Sequence, residues 1–141
     1  SESAGEQISI LVGSPDFRGV GRVVKMTSSG DIIWESLGPS MGSEYGTSLS
    51  VSRTAGSSGI DVLVGAPGND GGKGTVYSLS AGGEVVRKIS APEGTDRFGQ
   101  RVLLRERTAD GNQHDVLISR SQSPSEGQED NSAFVYRSND R

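Results

Sequence analysis

Apolar residues along the chain gather in ten short blocks: Ile8–Val12, Val20–Met26, Ile32–Trp34, Leu49–Val51, Ile60–Val64, Thr75–Leu79, Val85–Ile89, Val102–Leu104, Val116–Ile118 and Phe134–Tyr136. Most are rich in Val and Ile, and Gly, Pro, Ser or Asp stands at their ends. β-Branched side chains fit a pleated sheet, and Gly, Pro and Asp supply the turns between strands. No window holds a helical stripe of apolar residues. The pattern predicts ten strands and an all-β fold.

The blocks repeat. Sliding the sequence by 53 positions lays Gly21–Ser52 on Gly74–Arg105 without a gap. Gly21 meets Gly74, Val23 meets Val76, Gly30 meets Gly83, Pro39 meets Pro92 and Gly46 meets Gly99. Tyr45 meets Phe98, and Ile32-Ile33 meets Val85-Val86. Upstream, Leu11 to Pro15 matches Leu63 to Pro67 at an offset of 52, and Asp61 to Leu63 matches Asp115 to Leu117 at 54. One full unit spans residues 45–97, with strands a (Gly46–Ser52), b (Asp61–Val64), c (Thr75–Leu79) and d (Val85–Ile89). Residues 1–44 supply b, c and d of the unit before it, and residues 98–141 supply a, b and c of the unit after it. Four strands in about 50 residues is the unit of a β-propeller blade. The expected fold is a segment of a propeller built from four-stranded antiparallel blades; a sandwich with coincidental Gly spacing is the alternative.

Composition narrows the chemistry. The chain has 141 residues, 21 of them Gly, and a net charge of −4, which argues against a nucleic-acid surface. It has no Cys and a single His, so thiolate and multi-histidine metal sites are excluded. No apolar run reaches the roughly 20 residues of a spanning helix, so no direct membrane insertion is expected. The first residue is Ser1 rather than Met, from which a processed or excised piece of a longer protein is expected.

Two phrases carry a family resemblance. Tyr45-Gly46 and Phe98-Gly99 open a strand; Asp61-Val-Leu-Val-Gly-Ala-Pro67 closes the next and leads through a Gly-rich loop into Gly74-Thr-Val-Tyr77. The order resembles the FG-GAP repeat of integrin α-subunit propellers and their bacterial relatives. The middle unit matches over its full length, whereas the last has Ser119-Arg120-Ser121 where Gly-Ala-Pro belongs. The resemblance implies an extracellular, periplasmic or cell-surface ring of blades that binds partners. It also implies that further blades, from the same protein or another subunit, complete the ring.

Many repeats of that family carry a calcium loop, D-x-D-x-D-G-x-x-D, between strands a and b, since Ca²⁺ needs six to eight oxygen ligands. With Asp61 and Asp115 at its ninth position, the first, third and fifth positions hold Arg53, Ala55 and Ser57 in one unit and Arg107, Ala109 and Gly111 in the other. One carboxylate of four remains, so no metal and no other cofactor is expected; Asp61 and Asp115 are the only calcium candidates. The expected role of both is to accept hydrogen bonds from the loop backbone.

Gly38-Pro-Ser-Met-Gly42 matches a nucleophile elbow, but that motif needs a strand before it and a helix after it, and Pro39 repeats as a turn at Pro92. Gly68 to Thr75 resembles a phosphate loop, yet Pro67 stands where its first Gly belongs. A flexible connection is expected there. His114 is expected on an exposed polar loop, and Trp34 in packing at strand d. The reading is therefore a binding module rather than an enzyme, with an accessory propeller of a secreted enzyme, or a structural subunit of a ring, as alternatives. In the resembling family, protein or carbohydrate ligands dock on the b–c and d–a loops. Those here are Pro15–Val20, Gly68–Lys73, Arg120–Asn131, Gly38–Glu44 and Ala91–Arg97. The contact candidates are Asp16, Phe17, Arg18, Asn69, Asp70 and Lys73, with Phe17-Arg18 the best pair.

Overall fold

The computed structural model describes residues 8–52, 61–107, 113–120 and 133–137. Ten strands are present: β1 (Ser9–Ser14), β2 (Arg22–Thr27), β3 (Ile32–Leu37), β4 (Ser48–Val51), β5 (Val62–Ala66), β6 (Thr75–Leu79), β7 (Val85–Ser90), β8 (Arg101–Glu106), β9 (His114–Ser119) and β10 (Ala133–Arg137). They form three antiparallel sheets, ordered β1-β2-β3, β4-β5-β6-β7 and β10-β9-β8. The fold is all-β, as the apolar blocks predict. Among the described residues, helix is confined to single irregular turns at Phe17–Gly19 and Asn69–Gly72. Among the described residues no helix is long and apolar enough to cross a membrane.

The sheets stack face to face through two apolar layers. Side chains alternate across a strand, so β5 feeds both. Val62 and Val64 join Val23, Tyr45, Tyr77 and Leu79 between the first and second sheets. Leu63 joins Val76, Phe98, Leu104, Val116 and Ile118 between the second and third. That is why every residue of β5 is buried and why its sequence reads as continuous apolar rather than alternating. Trp34 packs as expected, but onto the next sheet: its Nε1–H donates to the Ala81 carbonyl at 3.0 Å.

The joint between sheets recurs. Gly21 pairs with Tyr45 in an isolated parallel bridge, and Gly74 pairs with Phe98 in the same way. Tyr45 N–H donates to Val20 O, and Phe98 N–H donates to Lys73 O at 2.9 Å. A Cβ at Gly13 would lie 2.1 Å from Gly46 O, and one at Gly65 would lie 2.0 Å from Gly99 O. Each glycine thus leaves the space into which the next unit's carbonyl enters.

Two expectations need correction. His114 is not on an exposed loop: it opens β9 opposite Glu106 and is 8% exposed. The polar neighbours Gln113 and Asp115 hide from a sequence pattern that the strand begins before its apolar residues. Burial, and then the Arg87 guanidinium, holds the His114 pKa below its usual 6.5. The unfolded chain therefore takes up a proton that the folded chain resists. The contribution is neutral above pH 6.5 and erodes stability as pH falls from there through the folded value. Urea denaturation from about pH 7.5 to about pH 5 should show this slope in the parent and a shallower one in His114→Gln. The second correction concerns Gly68–Lys73, which forms a compact turn, left-handed at Asp70 and Gly71, with Asn69 bonded inward.

Candidate binding face

The b–c and d–a connections emerge on the same side of the sheets, and the described ones form a bonded array. Gly42 N–H donates to Gly19 O at 2.7 Å, tying loop 38–44 to loop 15–20. Gly68 N–H donates to Ser43 O at 3.1 Å, and Ser40 Oγ–H donates to Asn69 Oδ1 at 3.0 Å, tying the same loop to 67–73. Arg97 N–H donates to Gly72 O at 2.8 Å and adds the 91–97 loop. The array is preorganised, because its backbone groups bond one another instead of water.

Both helical turns take their shape from left-handed residues. Arg18 (φ 50°) and Gly19 form one pair, and Asp70 (φ 53°) and Gly71 form the matching pair 52 residues on. This backbone turns Arg18, Asp70 and Lys73 outward, and all three are exposed, as is Asp16. Asp70 and Lys73 form an exposed ion pair at 3.7 Å. Phe17 is only half available: its ring lies under the Arg22 guanidinium at 3.9 Å, with Arg18 at 5.1 Å. Asn69 is corrected from contact to scaffold. It is 7% exposed, and its Nδ2 donates to Thr75 Oγ1 and Tyr77 Oη at 3.0 Å each. A side chain so engaged shapes the loop rather than meeting a partner. The structure thus brings the two trios of candidates to one face, with loop 38–44 between them. Arg120 apart, the 120–131 loop lies outside the described residues.

Two residues of this face were missed. Glu44 and Arg97 occupy the same place in successive units, both with left-handed backbone at φ 54° and 53°. Their side chains meet, Arg97 Nη2–H donating to Glu44 Oε2 at 2.7 Å. The 53-residue register places them together in sequence; their opposite charges were the available signal.

The Asp61 and Asp115 carboxylates each face a cationic side chain. Lys25 Nζ of the first sheet lies 3.4 Å from Asp61 Oδ2. Arg107 Nε lies 3.1 Å from Asp115 Oδ1, and Arg137 Nε lies 3.9 Å from it. Arg107 occupies the first position of the calcium-loop pattern, and its guanidinium pairs with the Asp115 carboxylate. Most of that pattern, residues 53–60 and 108–112, lies outside the described residues, as do the backbone bonds expected from it. Among the described residues, no three His, Cys, Asp or Glu side chains gather into a metal cluster. EDTA is expected to leave the melting temperature unchanged. A fall of several degrees, reversed by Ca²⁺ and not by Mg²⁺, would overturn this, because a tight site stabilises the folded state by mass action.

Comparison with protein-family models gives no match, and comparison with curated proteins gives none either.

Proposed function

We propose that the chain is a segment of an FG-GAP-type β-propeller and serves as a non-catalytic binding module. In this reading the protein is extracellular, periplasmic or on the cell surface. Its partner is a protein or carbohydrate that docks on the b–c and d–a loops. Arg18, Asp70 and Lys73 are its outward side chains, and Phe17 with Arg22 forms an aromatic–guanidinium platform at their margin. The observation that carries the reading is the repeated joint: the same glycine–aromatic bridge and the same carbonyl-into-glycine approach link the first sheet to the second and the second to the third. Stacking by a constant joint is how blades accumulate around an axis. Apolar residues also remain on the outer face of the first sheet, where Ile10 and Val12 are exposed. Their counterparts at an offset of 52, Val62 and Val64, are fully buried against a neighbouring sheet. Further sheets, from the same protein or another subunit, cover such a face.

Negative-stain imaging of the full-length protein should show rings with a central channel. A compact two-layer particle would sink the propeller and favour the sandwich. For the binding role, the full-length protein is screened against glycans and secreted proteins. Ligands found should lose affinity in Arg18→Ala/Lys73→Ala. Binding that survives this change would place the site elsewhere.

A further inference from the structure

At the joint of the second and third sheets, β4 meets the next sheet through three alternate serines. Ser48 Oγ–H donates to Gly99 O at 2.9 Å, Leu104 N–H donates to Ser50 Oγ at 2.9 Å, and Ser52 Oγ–H donates to Glu106 Oε1 at 2.7 Å. Opposite Ser48 in the register is Gly65, the glycine that admits Gly99 O. Short side chains are needed, because the neighbouring backbone comes within bonding distance of the strand's own hydroxyls.

The third sheet has the same register but different residues. Arg101 opposes Ser119 where Ser48 opposes Gly65, and Leu103 opposes Leu117 where Ser50 opposes Leu63. Arg105 follows, opposite Asp115, in the place of Ser52. The close joint is thus lost at each of these positions. A hydroxymethyl group fills the carbonyl's space, and two guanidinium groups and an isobutyl group replace three hydroxyls. What remains outward is an apolar row, Leu103, Leu117 and Val135, with Leu103 53% and Val135 55% exposed. Arg101 and Arg105 flank that row, are exposed, and form no ion pair among the described residues.

We infer that the outer face of the third sheet docks an acidic extended segment of a separate polypeptide, not another sheet joined by the repeat's own rule. Charge selects the occupant. A two-fold contact between copies sets arginine against arginine, and like charges facing one another reject a partner. Arg101 and Arg105 lie four residues apart on one strand, about 13 Å, with Leu103 midway. The matching strand presents acid-x-apolar-x-acid at the same spacing. The inference rests on the comparison of sheet faces; in a ring, it places the acidic segment between the third sheet and whatever sheet follows it, so that closure there does not use the repeat's own joint.

Two fluorescent ten-residue peptides, one carrying Glu-x-Leu-x-Glu and the other Lys-x-Leu-x-Lys, are titrated with the full-length protein at low salt. The acidic peptide should bind about tenfold tighter or more, two attractive pairs replacing two repulsive ones. That preference should shrink in high salt. In Arg101→Ser/Leu103→Ser/Arg105→Ser, which copies the residues of β4, it should fall to within about twofold. Arg101→Gln/Arg105→Gln serves if the triple variant does not fold. Equal binding of the two peptides, absence of binding by the acidic one, or a preference unchanged in the variants would overturn the inference.

Discussion

Gly74→Ala should cost about 3 kcal/mol or more, a large share of the roughly 5–15 kcal/mol that holds a domain folded. Two penalties act at this one position. Its φ of +93° is one that a side chain rarely adopts, and an added Cβ would stand 2.1 Å from Phe98 O and 2.5 Å from Phe98 N. Those atoms are backbone, held by the Phe98 N–H bond to Lys73 O, so they cannot swing aside like the end of a flexible side chain. Relief requires the third unit to move off the second. Gly94→Ala is the control: φ is +75° there, but an added Cβ would meet no heavy atom within 4 Å, so only the backbone term of about 1 kcal/mol applies. Urea denaturation of the two variants separates the terms. Equal losses would mean that the Gly74–Phe98 bridge is not a close contact in solution.

The same glycine shows what was legible in the chain and what was not. Gly21 and Gly74 stand out because a repeated Gly marks a repeated backbone demand, and Val and Ile blocks mark strands whatever surrounds them. The strands and their spacing were therefore readable. His114 was not, because a strand end that begins with Gln113, His114 and Asp115 carries no apolar signal, and its burial comes from sheet stacking. Asn69 was hidden for the opposite reason: among Gly68, Asp70, Gly71 and Gly72 it looks like one more turn residue. Only the fold shows its amide turned inward to Thr75 and Tyr77. The face was half readable, since Arg18, Asp70 and Lys73 lie outward as loop charges do, whereas the Glu44–Arg97 contact depends on loops of different units meeting. The alternation of Ser48, Ser50 and Ser52 was present in the sequence, but nothing local separates such serines from an ordinary solvent-facing edge.

Phe98→Ala should lose about 3–5 kcal/mol, the range for deleting a large buried aromatic. Phe98 is fully buried, and its ring meets Phe134 edge-on at 5.4 Å and Tyr136 at 6.3 Å. These are favourable contacts beyond the area they bury, and all are lost with the ring. The repeat supplies a sharper companion test. Tyr45 is the same position one unit earlier, and its hydroxyl lies 2.8 Å from Ser36 Oγ. Ser36 faces Val23 across the first sheet, and Ile89 faces Val76 across the second. The two sheets therefore hold one pair of positions as Tyr with Ser and as Phe with Ile. Phe98→Tyr buries a hydroxyl beside Ile89 with nothing to bond, and should cost about 1–3 kcal/mol. Ile89→Ser alone opens a void and strands its own hydroxyl, at a similar cost. Together they rebuild the Tyr45–Ser36 bond, so the double variant should be more stable than the sum of the single losses by about 1 kcal/mol or more. Denaturation of the four proteins in the cycle gives that coupling directly. Strict additivity would mean that positions 89 and 98 do not meet as 36 and 45 do, and that the second joint does not copy the first.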